Sequence, residues 1–165
     1  MAIWRDLKRT GAFYLQQAVC ILPARPETTQ AVADIRARIA DLGGSCNFFT
    51  IDAMEPEQEA QIIDGFKDLA AREYAEIVEE CDTKFVKEIE FERFRENYTF
   101  EEAEEIRQDL EKIHRWFQRV TERDWFGGDG QETAAAKIEN CERLLEQFEE
   151  DVYERVGGAE ATPSS

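Results

Sequence analysis

The chain has 165 residues, 42% of them apolar, enough for one domain to bury most of the surface its unfolded form would expose. Its formal charge of −17 repels phosphate backbones and argues against nucleic-acid binding over the whole surface. No apolar run is long enough to span a membrane, and Met1-Ala2-Ile3-Trp4-Arg5 lacks the continuous apolar stretch of a secretory leader, so a cytoplasmic protein with no membrane partner is expected.

Residues 2–10 read as a short helix with Trp4 and Leu7 on one face and Gly11 as its stop. The β-branched and aromatic run that follows, ended by Pro23, predicts a strand at Ala18–Leu22. Pro26 suits the first turn of a second helix, whose stripe is Ala31, Ile35, Ile39 and Leu42 and whose end is Gly43-Gly44. Cys46 to Ile51, with Phe48 and Phe49 in a short apolar run, reads as a second strand. After Pro56, Ile62, Phe66, Leu69, Ile77, Cys81, Phe85 and Ile89 recur at helical spacing, with Glu73 as a break. Thr99-Phe100-Glu101-Glu102 announces another helix through a capping box, and its stripe is Ile106, Leu110, Ile113, Phe117 and Val120. A turn at Trp125-Phe126-Gly127-Gly128-Asp129-Gly130 leads to a third long helix, Gln131 to Val156, with Ile138, Cys141, Leu145, Phe148 and Val152 inward. Three amphipathic helices bury their apolar faces most cheaply against one another. The expected class is therefore α+β: a helix-strand-helix-strand portion over residues 1–55, a long-helix antiparallel bundle over 56–157, and a disordered tail over 158–165, forming one compact unit.

Cys20, Cys46, Cys81 and Cys141 are widely spaced, with no CxxC pair. Free, mostly buried thiols in a reducing compartment are expected, with a redox pair or soft-metal site as the alternative. A lone histidine, His114, speaks against transition-metal binding.

Two stretches resemble a known family. Trp4-Arg5-Asp6-Leu7-Lys8-Arg9-Thr10-Gly11-Ala12, Leu15-Gln16-Gln17-Ala18-Val19 and Leu22-Pro23 look like the opening helix and strand of the chromate-resistance protein B N-terminal domain. Tyr98-Thr99-Phe100-Glu101-Glu102, Leu110 to Phe117 with its Arg115-Trp116 pair, and Arg123-Asp124-Trp125-Phe126-Gly127 are similar to its second half, in the same order. The resemblance implies an incomplete ferredoxin-like unit followed by helices, in a bacterial regulator that acts by binding and is linked to chromate response. The family's fold places a strand before the segment matching Trp4. That strand is expected to be missing here, which opens a sheet edge beside Ala18–Leu22 to a protein partner or a second copy.

Charge and motif then single out three candidate sites. Arg115, Arg119 and Arg123 stand at i, i+4 and i+8, flanked by Lys112 and His114, and guanidinium forks suit tetrahedral oxyanions such as chromate. Glu111, Glu122 and Asp124 offer these arginines ordinary surface partners instead. Asp124-Trp125-Phe126-Gly127 reads as a structural turn, with Trp125 and Phe126 capping the bundle, or as an aromatic anchor for a partner. Arg5, Lys8 and Arg9 lie in the one stretch with a positive balance: residues 1–50 carry six cations against four acids, and the other 115 residues carry −19. They are the candidate DNA contact, although the net charge disfavours DNA and a solvated face is the simpler reading. The carboxylate runs Glu79-Glu80, Glu101-Glu102, Glu104-Glu105 and Glu149-Glu150-Asp151 fit solvated helix faces. Glu111 and His114 supply a single Glu-x-x-His pair, too few for a di-iron bundle. No nucleophile elbow, P-loop or HExxH is present, so no enzyme, cofactor or metal is expected. A protein-interaction or dimerisation module without anion or DNA binding is the alternative function.

Overall fold

The computed structural model describes residues 2–160; of the tail expected at 158–165, residues 158–160 continue the last helix and 161–165 lie outside the described residues. The fold is α+β, with a two-stranded antiparallel sheet and a predominantly helical remainder. Two compact units divide the chain. One is the chain up to Ala70 together with Glu122–Gly128; the other is Ala71–Thr121 and the chain from Asp129 on.

In the first unit, helix α1 (Ala2–Arg9) ends in a Schellman motif. The Ala12 N–H bonds the Leu7 carbonyl at 3.2 Å and the Gly11 N–H bonds the Lys8 carbonyl at 3.1 Å, with Gly11 at φ 74°. Strands β1 (Phe13–Gln16) and β2 (Val19–Ile21) pair with Phe13 opposite Ile21 and Tyr14 opposite Cys20. Leu15 sits at an irregularity between Tyr14 and Gln16. Helix α2 (Pro26–Asp41) is started by buried Thr28, whose hydroxyl accepts from the Arg25 N–H at 3.0 Å and donates to the Pro23 carbonyl.

Two sequence expectations are corrected here. The strand expected at Ala18–Leu22 is half of a hairpin whose other half, Phe13–Gln16, was not foreseen. The strand expected at Cys46–Ile51 does not form; the segment is exposed and has no regular structure. Apolar content alone does not make a strand, because the backbone must find a ladder partner. Among the described residues the sheet contains only β1 and β2. The observed order is thus helix, hairpin, helix.

Helix α3 (Pro56–Glu79) supplies Phe66 to the first unit, where its ring lies 5.5 Å from Phe13 and 5.1 Å from Phe126. A Cβ on Gly65 would lie within 2.9 Å of three atoms of the Phe13 ring, so the hairpin's approach to α3 depends on that glycine.

The second unit is a three-helix arrangement. Helix α3 passes without a break through a π-helical turn (Glu80–Phe85) into α4 (Val86–Phe94), and α5 (Phe100–Glu122) and α6 (Gln131–Glu160) complete it. Cross-helix pairs fix the directions. Arg107 meets Glu149 and His114 meets Glu142 at 2.9 Å, so α5 runs antiparallel to α6. Asp82 meets Lys137 at 2.8 Å and Arg93 meets Asp151 at 3.3 Å, so the π turn and α4 run parallel to α6. Between them lie Tyr74, Ile77, Ile89, Ile106, Val120, Phe148 and Val152, each 1% exposed or less.

Candidate functional site

Helix α1 carries the first candidate surface. Its inward residues leave Trp4, Arg5, Lys8 and Arg9 exposed together. The Lys8 ammonium stands 5.5 Å from the centre of the Trp4 ring, a geometry in which the ring quadrupole holds the cation without neutralising it. The only acid in the helix, Asp6, is mostly buried and engaged by Arg38 at 2.5 Å and Arg9 at 3.8 Å. The face therefore keeps a positive balance, and Arg38 of α2 extends it.

The arginine stripe is arranged differently from the expectation. Helix α5 ends at Glu122, so Arg123 is on the following turn and in the first unit, while Arg115 and Arg119 are exposed on the helix in the second. An i, i+8 spacing continues a face only while the helix continues. Arg115 lies 3.4 Å from Glu111, and the residues flanking it are likewise engaged: Lys112 with Asp109 at 2.6 Å, His114 with Glu142.

The Arg123–Gly127 turn is docked in the first unit. Arg25 stacks 5.2 Å above the Trp125 ring and donates from Nη2 to the Trp125 carbonyl at 3.0 Å. Asp124 accepts the Gly128 N–H with both carboxylate oxygens, at 2.9 and 3.0 Å. A Cβ on Gly11 would lie 2.8 Å from Trp125 Nε1 and 2.9 Å from Arg123, so α1's stop and this turn are fitted to each other. Trp125 and Phe126 thus pack with α1, Arg25 and Phe66, where the sequence predicts either a cap on the bundle or an aromatic anchor for a partner.

Two further clusters lie in the second unit. Glu76, Glu79, Glu80, Thr83, Lys84 and Trp116 line an open depression of about 290 Å³, in which Lys84 is paired with Glu80 at 2.5 Å. Cys81 on the π turn and Cys141 on α6 are both fully buried, and they are close enough for each thiol to shift the other's ionisation. Sixty residues separate them in sequence, so their meeting was not readable from spacing. The available signal was that each falls on the inward stripe of its helix.

Against known proteins, the sequence matches the family described as "Protein ChrB, N-terminal" over residues 1–159. The chain belongs to the ChrB N-terminal family. No curated protein and no solved structure matches it. The ChrB match spans both units, including the cationic α1, the docked turn and the three long helices. No group of three or more His, Cys, Asp or Glu side chains among the described residues is placed to hold a metal ion, and no described helix is long and apolar enough to cross a membrane.

Proposed function

We propose that this ChrB-type domain is a non-enzymatic regulatory module of chromate resistance that works by contact, with the exposed face of α1 as its DNA-facing surface. The observation that carries the reading is the clustering of Arg5, Lys8 and Arg9 beside Trp4 on an otherwise acidic chain, with Asp6 held chiefly by Arg38 of α2. The whole-molecule charge does not decide the matter. At about 0.1 M salt the Debye length is about 10 Å, so distant carboxylates are screened while the α1 cations act at contact range. Lysine and arginine at a phosphate release counterions, which supplies affinity without any base contact. An oxyanion role for Arg115, Arg119 and Arg123 has less support, because Arg115 is paired with Glu111 and Arg123 is off the helix.

The test is fluorescence anisotropy with a labelled duplex from the gene's own upstream region at about 0.1 M salt. Wild type binds, and Lys8→Glu and Arg5→Glu each weaken binding several-fold and flatten its salt dependence. Binding unchanged in the double variant, or absent in wild type, contradicts the reading.

A second reading has its own observation. Phe49 is 79% exposed, and Phe48, Ile51 and Val19 of the same unit are also exposed, a concentration of uncovered apolar side chains in a unit whose sheet has two strands among the described residues. This favours a protein partner or a second copy at the first unit. Light scattering checks it: a dimer that Phe49→Asp converts to monomer supports the reading, and a wild-type monomer at high concentration opposes a homodimer.

A further inference from the structure

We propose that Cys81 and Cys141 are a modification site: a buried dithiol that a peroxide oxidises to an intramolecular disulfide joining the π-helical turn to α6. All four cysteines are free thiols, but these two alone are 0% exposed and in contact with each other. Their placement is held from outside by the Lys137–Asp82 ion pair at 2.8 Å, one residue beyond Cys81 and one helical turn before Cys141. Two buried thiols at a helix crossing could be mere packing. The backbone argues otherwise, since Cys81 lies within the π turn Glu80–Phe85, where the i→i−4 ladder is interrupted, and a local opening at that interruption is the route assigned to the oxidant. That opening gives a small oxidant access to an otherwise closed pair.

The pair is also chemically asymmetric. The mutual interaction of the two thiols holds Cys81 below its ordinary value and, together with burial, pushes Cys141 well above its own. Cys81, the sulfur carried on the π turn, is assigned as the attacking one. Its thiolate attacks one oxygen of hydrogen peroxide, the O–O bond breaks, and the departing hydroxide takes a proton to leave as water, giving a Cys81 sulfenic acid. Cys141 Sγ then attacks Cys81 Sγ; the S–O bond breaks, and the hydroxyl leaves as a second water with the Cys141 proton. Two thiols and one peroxide become one disulfide and two waters, the thiols losing two electrons and the peroxide gaining them.

The experiment uses the full chain with Cys20→Ser and Cys46→Ser, treated with hydrogen peroxide under native conditions. The reduced protein yields two alkylatable thiols after unfolding. The proposal expects the treated protein to yield none, to lose two hydrogen atoms in mass, and to give a proteolytic peptide linking residues 81 and 141. A thiol reductant should restore both thiols, and the oxidised form should melt higher because the closed loop restricts the unfolded chain. In Cys141→Ala, dimedone should trap a sulfenic acid at Cys81. If that variant fails to fold, the thiol count and linked peptide of the parent decide the question alone. Two thiols still alkylatable after treatment, or a product that gains oxygen with no 81–141 link, overturns the proposal.

Discussion

Gly11 combines two constraints that no other residue type satisfies at once: a left-handed φ of 74° and an approach of 2.8–2.9 Å to Trp125 and Arg123 for any Cβ. Gly11→Ala should therefore destabilise the protein by about 1–3 kcal/mol, read as a lower denaturant midpoint, with loss of Trp125's native fluorescence environment. Glu96 presents the opposite case. It ends α4 in the same Schellman geometry, with Asn97 N–H on the Glu92 carbonyl at 3.0 Å and Glu96 N–H on the Arg93 carbonyl at 3.1 Å, yet a non-glycine residue holds φ 56°. Glu96→Gly should stabilise by about 1 kcal/mol, since the left-handed cost disappears. A lower melting temperature in that variant would refute the assignment. The contrast explains what was legible: Gly11 and Gly43 punctuate the sequence where helices stop, whereas Glu96 carries no turn signature and its stop is visible only in the backbone.

Among the elements, the long helices were the most readable part because their stripes agree with burial. Ile106, Leu110, Ile113 and Val120 of α5, and Ile138, Cys141, Leu145, Phe148 and Val152 of α6, are all buried. Phe148, 0% exposed and stacked 5.5 Å from Tyr98, should cost about 3–5 kcal/mol as Phe148→Ala, measured by chemical denaturation. The π turn also leaves a trace in the sequence. Ile77, Cys81, Phe85 and Ile89 are spaced by four throughout, and an α-helix of 3.6 residues per turn would carry the last about 120° off the first's face. The wider turn keeps all four buried. Two features were beyond pattern reading. Whether Cys46–Ile51 pairs depends on what lies beside it, and whether Arg123 continues a helical face depends on a stop one residue earlier. Both are questions of tertiary context, which periodicity does not encode.

For the whole molecule, charge is the dominant physical fact, and it has a pH signature. Burial, then Asp109, Glu102, Glu92 and Glu105, hold the Glu88 carboxyl above its ordinary value. Burial, then Glu92 and Glu105, do the same for Glu102, against the opposing pull of Arg95 and Asn97. A carboxyl raised in the folded state binds its proton more tightly there than in the unfolded chain. Between the ordinary carboxylate range and the raised value, stability therefore falls as pH rises. Melting temperature should rise on acidification from neutral pH into that window, and Glu88→Gln should raise it at neutral pH while flattening the slope. A melting temperature that falls steadily on mild acidification would contradict this.

The same charge distribution frames the functional claim, because it leaves one face of one short helix positive. Backbone amide NMR shifts during titration with the upstream duplex at about 0.1 M salt test that claim most directly. The account predicts shifts concentrated on Trp4 to Arg9 and around Arg38. Shifts centred on Arg115 and Arg119 of α5, or none at saturating duplex, would contradict it.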